Sequence, residues 1–334
     1  MMKALILKGK NQPLELGTTD KPEPKTEMVL VKITAAALNH RDVWIQKGLY
    51  AGLKFPIILG SDGSGVVEDT GDNVDRELIG KEVIINPSIG WGDDENVQSK
   101  NYKILGLPDD GTFAEYVVVP KQNVAPKPPH LNFYEAAALP LAGLTAWRAL
   151  FTRAECKKGD KVLITGIGGG VALFAMQFAL AAQASVFVTS SSDKKIEKAI
   201  HLGASGGVNY TKENWDKNLL EQHGMFDIII DSAAGKDFSK LIDLAKPGGK
   251  IVCFGGTAGN IIDLSPQKIF WKQLSILGST MGSPKDFNNM LSFVNQHLIR
   301  PIIDIVFPLE RGQHAMDRMS NKEQFGKIVL QVHQ

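Results

Sequence analysis

A chain of 334 residues is too long for one ordinary compact core, so two domains are expected. Hydrophobic residues make up 43% of it and charged residues 22%, a globular balance with material for both cores. The formal net charge of +1 supplies no global field toward nucleic acid or an acidic membrane, and neither is expected as a partner.

Met1 through Leu16 alternates like a strand and lacks the apolar core and small-residue cleavage site of a secretory leader. No run reaches the ~20 apolar residues of a membrane span without charges or glycines intervening. The cytoplasm is the expected location. Cys156 and Cys253 are too few and too far apart for a disulfide framework or a cysteine-built zinc site, and read as reduced thiols.

Met28–Ile33, Gly65–Glu68, Lys81–Ile85 and Phe113–Val119 are Val- and Ile-rich runs separated by Gly, Pro and Asp, which predicts a small antiparallel barrel or sandwich. The polar, turn-rich segment Trp91–Asp110 reads as a surface loop. From about Asp160 the rhythm changes. Strand-like Lys161–Thr165, Ser185–Thr189, Asp227–Asp231, Lys250–Phe254 and Leu274–Ser279 alternate with helical Ala172–Ala182, Asp193–Leu202 and Phe238–Leu244. That alternation predicts a doubly wound parallel sheet, an α/β fold with right-handed crossovers. The tail holds a helix, Asn288–His297, and strand-like Ile302–Phe307 and Gly326–Val332. This exceeds what a finished doubly wound sheet needs, so residues 282–334 are expected to fold back on the first domain. The reading divides the chain into 1–125 with 282–334, and 126–281.

Lys161-Val-Leu-Ile-Thr165 runs into Gly166-Ile-Gly-Gly-Gly-Val-Ala172, which opens a helix. Glycine suits a tight strand-to-helix turn and lets the backbone approach a pyrophosphate, which the unpaired N–H groups of the helix start then receive. Gly166, Gly168, Gly169, Gly170 and Val171 are the candidate phosphate loop, with Val171 where a strict G-x-G-x-x-G has its last glycine. A structural turn is the alternative, and the strand before and helix after favour a dinucleotide. An NAD-preferring site places Asp or Glu at the end of the second strand. Here Thr189 is followed by Ser190-Ser191-Ser192-Asp193-Lys194-Lys195. Hydroxyls of Ser190 and Ser191 and the ammonium of Lys195 suit a 2′-phosphate, so NADP(H) is the expected cofactor. The alternative is that Ser192 or Asp193 only caps the next helix.

Several collinear motifs carry a family resemblance: Ala37-Leu-Asn-His-Arg-Asp-Val-Trp-Ile-Gln-Lys-Gly-Leu-Tyr50, Pro56-Ile-Ile-Leu-Gly-Ser-Asp-Gly-Ser-Gly-Val-Val67, Gly111-Thr-Phe-Ala-Glu-Tyr116, Ala138-Leu-Pro-Leu-Ala-Gly-Leu-Thr-Ala146, Lys246-Pro-Gly-Gly-Lys250 and Phe325-Gly-Lys-Ile-Val329. Across its whole length the chain resembles the zinc-free quinone oxidoreductases of the medium-chain dehydrogenase/reductase superfamily. The resemblance implies a GroES-like β-barrel catalytic domain, a Rossmann domain, an active site between them and a homodimer formed by sheet edges. It implies that Tyr210 lines the 2′-phosphate pocket, and that Thr145, Phe254, Gly255, Ser279 and Thr280 line the nicotinamide. It also implies that Asn39, Ser61, Asp62 and Leu141 stand where zinc alcohol dehydrogenases carry Cys, His, Glu and Cys. Amide, hydroxyl and isobutyl groups do not replace thiolate and imidazole, so no metal is expected.

Without a Lewis acid the suitable substrates are small quinones and α,β-unsaturated carbonyls, where conjugate addition of hydride spreads charge to a distant oxygen. Asn39 is assigned to substrate or nicotinamide-ribose binding and Tyr50 to hydrogen-bond donation to the substrate oxygen, with a plain cleft-wall aromatic as the alternative for Tyr50. Asp42 reads as a structural acid, with a general base as the alternative. His40 is weighed as a proton relay against structural pairing, and Arg41 receives no role. The alternatives are a zinc-free alcohol or aldehyde oxidoreductase and a catalytically idle NADPH-binding protein.

Overall fold

Val and Ile at alternate positions, punctuated by Gly and Pro, give the first third of the chain its pleated strands. The computed structural model describes residues 1–333, which form two units: Met1–Leu144 together with the chain from Gly282 onward, and Thr145–Met281. In the first unit β1 (Met2–Leu7) pairs antiparallel with β2 (Leu14–Thr19). The stretch Met1–Leu16, read as one strand, thus belongs to two, and the turn between them includes Asn11 at φ 59°. Strand β3 (Met28–Ala37) is followed by helix α1 (His40–Gln46) and β4 (Ile57–Ile58), which pairs with β1. Then come β5 (Asp62–Thr70), β6 (Glu82–Ile85), the short pair β7 (Ser88–Ile89) and β8 (Lys103–Ile104), β9 (Tyr116–Pro120) and β10 (Val124–Pro126).

Strand β3 is the hub. It pairs with β5 along its length and with β9 over Met28–Lys32. Its inward residues Val29, Val31 and Ile33 are fully buried in a core shared with Leu5, Leu7 and Phe113. The segment Trp91–Asp110 is not simply a surface loop. Trp91, Leu105 and Leu107 are buried, and the Trp91 indole donates to the Asp94 carbonyl at 2.9 Å, so the polar turns ride on an apolar base.

Helix α2 (Phe133–Ala138) opens on a reciprocal cap, in which Asn132 Oδ1 accepts from the Glu135 N–H and Glu135 Oε2 from the Asn132 N–H, both at 2.9 Å. It presses Ala137 and Ala138 onto Ala35 and Ala37 of β3, where methyl side chains permit close approach. Residues 126–144 therefore pack with the first unit, and the boundary lies at Leu144/Thr145 rather than at 125/126. Helix α3 (Pro140–Trp147) carries the chain across it.

In the second unit β11 (Lys161–Ile164), α4 (Gly170–Ala181), β12 (Ser185–Ser190), α5 (Asp193–His201), β13 (Gly206–Asn209), α6 (Trp215–His223), β14 (Phe226–Asp231), α7 (Phe238–Leu244), β15 (Ala245–Cys253), α8 (Pro266–Trp271) and β16 (Ser275–Gly278) follow in turn. Every strand pairing is parallel, in the order β13-β12-β11-β14-β15-β16. This is the dinucleotide-binding order, with its switch point between β11 and β14. Val162, Leu163 and Ile164 are fully buried, as a sheet covered on both faces requires. The C-terminus of α7 is closed by Lys272, whose Nζ donates to the carbonyls of Ile242, Asp243 and Ala245 at 2.9 Å each.

The chain then returns to the first unit through α9 (Pro284–Gln296), β17 (Ile303–Pro308), α10 (Gly312–Ser320) and β18 (Lys327–Gln331). Strand β17 runs parallel to β18, and β18 pairs antiparallel with Ala35–Ala37 of β3. No described helix is long and apolar enough to cross a membrane.

Candidate active site

In the first unit the end of β3, the start of α1, the start of β5 and β18 converge on one buried polar cluster. Asp62 and Lys327 form an ion pair at 2.9 Å, with side-chain exposures of 0% and 4%. The Lys327 ammonium has three N–H donors and spends them on Asp62 Oδ2, Asn39 Oδ1 at 2.7 Å and the Leu38 carbonyl at 2.7 Å. Asn39 Nδ2 donates to Asp62 Oδ2 at 2.9 Å, and the Leu141 N–H donates to Asp62 Oδ1 at 2.8 Å. The Asn39 amide is thereby fixed in orientation: its oxygen faces a cation and one N–H faces a carboxylate. Its second N–H is the group left for a ligand.

The four positions compared with zinc ligands therefore do come together. Asn39, Asp62 and Leu141 share one hydrogen-bonded network, and Ser61 Oγ accepts from Arg41 Nη1 at 2.8 Å while donating to the Leu105 carbonyl at 2.7 Å. This donor set does not fit Zn²⁺, which takes thiolate, imidazole and carboxylate in tetrahedral array. Among the described residues, no group of three or more His, Cys, Asp and Glu side chains is arranged to hold a metal ion.

Asp42 makes a structural contact at the start of α1. Its Oδ2 accepts from the Asn39 N–H at 2.8 Å, closing the first turn of α1, while Oδ1 is buried without a partner. Burial pushes its carboxyl up to about 6, against the pull of Arg41, the Asn39 N–H and Lys327 and with the help of Asp62. His40, the first residue of α1, is exposed. Tyr50 follows α1, half-buried against the first core, with the Arg41 guanidinium carbon 5.1 Å from its ring centre.

In the second unit the predicted cofactor residues gather at the C-terminal ends of the parallel strands, where open α/β sheets bind ligands. Gly166 and Gly168 adopt φ of +68° and +129°, which L side chains rarely tolerate, so glycine is required in this turn. The turn is pinned to the neighbouring strand by the Ile167 N–H on the Thr189 carbonyl at 2.8 Å. Helix α4 starts at Gly170 with Gly169 as its cap and Val171 as its second residue. No side chain takes the cap bond, and the space where a Gly169 Cβ would stand is open. Ser190 ends β12 and is buried, Ser191 follows it on the surface, half-buried Lys195 lies in α5, and the Tyr210 N–H donates to the Ser190 carbonyl at 3.0 Å. Ser192 occupies the cap position of α5, but its side chain makes no cap hydrogen bond, contrary to the capping alternative.

Phe254 and Gly255 follow β15, and Ser279 and Thr280 follow β16. Ser279 Oγ is buried without a hydrogen-bond partner, a donor left for a bound group. Thr145, in α3, bonds Met281 Sδ at 3.8 Å and so lies beside this pair. These features fit a nicotinamide dinucleotide.

Three participants carried no recognisable signal. Lys327 is visible only as one letter of Gly326-Lys-Ile-Val329, because its partners Leu38, Asn39 and Asp62 lie more than 260 residues away. Arg41 looks like a wet helix residue until its burial is seen. Asp231, buried at the end of β14, accepts from Thr165 Oγ1 at 2.7 Å and from the Ala233 and Ala234 N–H groups at 3.2 and 2.7 Å, ordering the strand ends beneath the phosphate loop.

Residues 25–129 match the alcohol dehydrogenase GroES-like domain, and residues 170–296 match the family described as zinc-binding dehydrogenase. A zinc-type alcohol dehydrogenase-like protein, YogA, of Leptosphaeria maculans is 38% identical over 343 aligned positions, covering 96% of this chain and 95% of its own. A solved NAD-dependent alcohol dehydrogenase superposes with a TM-score of 0.94 at 38% identity over 99% of this chain and 100% of that one. The quinone oxidoreductase of Mus musculus is 27% identical over 92% of this chain and 90% of its own. The chain belongs to the medium-chain dehydrogenase/reductase superfamily, whose oxidoreductases use nicotinamide cofactors.

Two measurements test the buried cluster. Lys327→Met leaves Asp62 as an unpaired buried charge and is expected to lower unfolding free energy by about 3–5 kcal/mol, read from urea denaturation. For Asp42, the folded protein holds the proton to higher pH than the unfolded chain, so stability falls as pH rises from about 4 to 6. Asp42→Asn cannot ionise and should gain on the wild type across that window, approaching about 3 kcal/mol by neutral pH. A difference that does not grow with pH would show the carboxylate to be hydrated.

Proposed function

We propose that this oxidoreductase is a cytoplasmic, NADPH-dependent reductase of quinones or α,β-unsaturated carbonyls that works without a metal ion. The observation that carries the reading is the closed network at Asn39, Asp62, Leu141 and Lys327. Where a zinc dehydrogenase needs open metal ligands, this chain has an internally neutralised ion pair. A substrate reduced here needs conjugation to spread the incoming charge.

NADPH, when bound, supplies hydride. On an enone the hydride pair forms the new C–H bond at the β-carbon, and the alkene π pair moves to make an enolate. The hydroxyl of Tyr50, whose ring centre is 5.1 Å from the Arg41 guanidinium carbon, donates a hydrogen bond to that oxygen. One proton from solvent completes the saturated carbonyl. The free Asn39 N–H orients substrate or ribose. For the cofactor, Asp193 is the nearest acid after β12, and it is engaged by Lys212 at 3.3 Å and Asn209 at 3.2 Å. Hydroxyls of Ser190 and Ser191 and the side chain of Tyr210 suit a 2′-phosphate, with the Lys195 ammonium on the following helix adding positive charge.

The solved relative named NAD-dependent alcohol dehydrogenase supports a second reading, alcohol or aldehyde chemistry with NAD(H). Chelator-treated protein assayed with NADPH and NADH against a quinone, an enone and an aldehyde separates the two. Quinone or enone turnover preferring NADPH is expected, and Ser190→Asp should cost about 10–100-fold in NADPH selectivity, the value of one charge-assisted hydrogen bond. Turnover of aldehyde alone, with NADH preferred, would replace the proposal by the second reading.

The proposal includes a homodimer. Strand β16 is an edge of its sheet, Ile276 on it is 36% exposed, and neighbouring Phe270 and Trp271 are 63% and 83% exposed. An open apolar edge suits pairing with its own copy across a two-fold axis. Light scattering should give twice the 36.4 kDa chain mass, and Ile276→Lys with Trp271→Glu should give monomer. A wild-type monomer would remove the dimer from the reading.

A further inference from the structure

Arg41 is a buried cation that no part of the mechanism above uses. Its residue is 8% exposed, on the first turn of α1. Nη1 is spent inward, on Ser61 Oγ at 2.8 Å and the Leu105 carbonyl at 2.9 Å. Nε is buried with no hydrogen-bond partner. Nη2 has no hydrogen bond to the described residues and is not among the sealed atoms. Among the described residues, no carboxylate forms an ion pair with the guanidinium. Asp42, next in the chain, feels its charge but accepts from the Asn39 N–H instead.

A buried charge without a counter-ion is costly and is retained where something answers it. Here the unanswered part with an open face is Nη2, whose two N–H groups can meet an oxygen centre, while Nε is sealed. The guanidinium carbon lies 5.1 Å from the centre of the Tyr50 ring. The guanidinium's fixed end grips Ser61, the residue at the position compared with the zinc-binding histidine. A rigidly held cation thus borders one of the positions compared with zinc ligands.

We propose that Arg41 is the electrophile of this enzyme: its Nη2 receives the substrate oxygen that turns anionic as hydride adds. This rests on the reduction of conjugated carbonyls or quinones proposed above and names the group that stabilises their enolate or hydroquinone oxygen. Arg41 forms no bond and loses no proton. It supplies charge and two fixed N–H donors to the electron pair displaced onto oxygen, while the proton arrives separately.

The test uses p-nitrophenol, a planar oxyanion former that accepts no hydride through an enone. It is titrated into the NADP⁺-loaded protein at the pH where the free phenol is half ionised, and the visible nitrophenolate band is followed. Wild type should bind the anion, with a bound phenolate-to-phenol ratio at least about tenfold above that in water, the effect of one charge-assisted donor pair. Arg41→Gln should abolish the enrichment and Arg41→Lys should keep part of it, with unchanged circular dichroism. In turnover, Arg41→Gln should lower kcat on the enone about 10²–10³-fold, the cost of an oxyanion donor, with a smaller change in KM.

Binding of the neutral phenol by wild type, or no binding, overturns the proposal, and this arm needs no variant to fold. An unchanged ratio and kcat in folded Arg41→Gln overturns it equally. Anion enrichment that depends on Arg41 in a protein that reduces neither enone nor quinone would sustain the oxyanion site and remove the reduction reading instead.

Discussion

The catalytic unit depends on one ammonium group. Lys327 arrives on the last strand and meets Leu38, Asn39 and Asp62 from the first 62 residues, and its three donors find three acceptors. Burying such a charge is favourable only with complete satisfaction, because removing any partner leaves a charge or dipole stranded in an apolar setting. The contact therefore ties the C-terminal strand to β3 and β5 electrostatically where backbone pairing with Ala35–Ala37 ties it mechanically. It also fixes the face that Asn39 presents.

The second unit uses the same logic with the opposite sign. Asp231 is a buried carboxylate at a strand end, held by Thr165 and two backbone N–H groups. Burial raises its carboxyl above the usual range, and those hydrogen bonds oppose the shift. Lysine serves once more in Lys272, which gathers three carbonyls of an unfinished helix end. Each unit thus places a fully occupied charged group where backbone groups would otherwise go unpaired.

Much of the architecture could be read from local pattern. The alternation from Lys161 onward predicted the parallel sheet because consecutive β and α runs dictate their own crossovers, and Phe238–Leu244 emerges with the predicted bounds. The return of the tail followed from surplus strand. Local pattern failed where tertiary packing decides. Residues 126–144 have no strand period to mark their allegiance, and only the Ala-on-Ala seam with β3 assigns them to the first unit. Trp91–Asp110 looks wet because its turns are polar, although its apolar residues are buried beneath them. In the site, Asn39 and Ser61 were legible as substitutions for metal ligands. Arg41 and Lys327 were not, because a cation's burial depends on partners far away in sequence.

The hydrogen bonding of Asn39 and Ser61 bears on the evolutionary path between metal-bound and metal-free members of the fold. Restoring cysteine at 39 strands one donor of Lys327, and restoring histidine at 61 takes the place of the hydroxyl that holds Arg41. Each single step toward a metal site loses a buried bond before any ion can be held, since one or two ligands do not make a tetrahedral site. Stepwise introduction of metal ligands must therefore descend in stability before it can climb, because the hydrogen bonds of Asn39 and Ser61 oppose each first step like a ratchet.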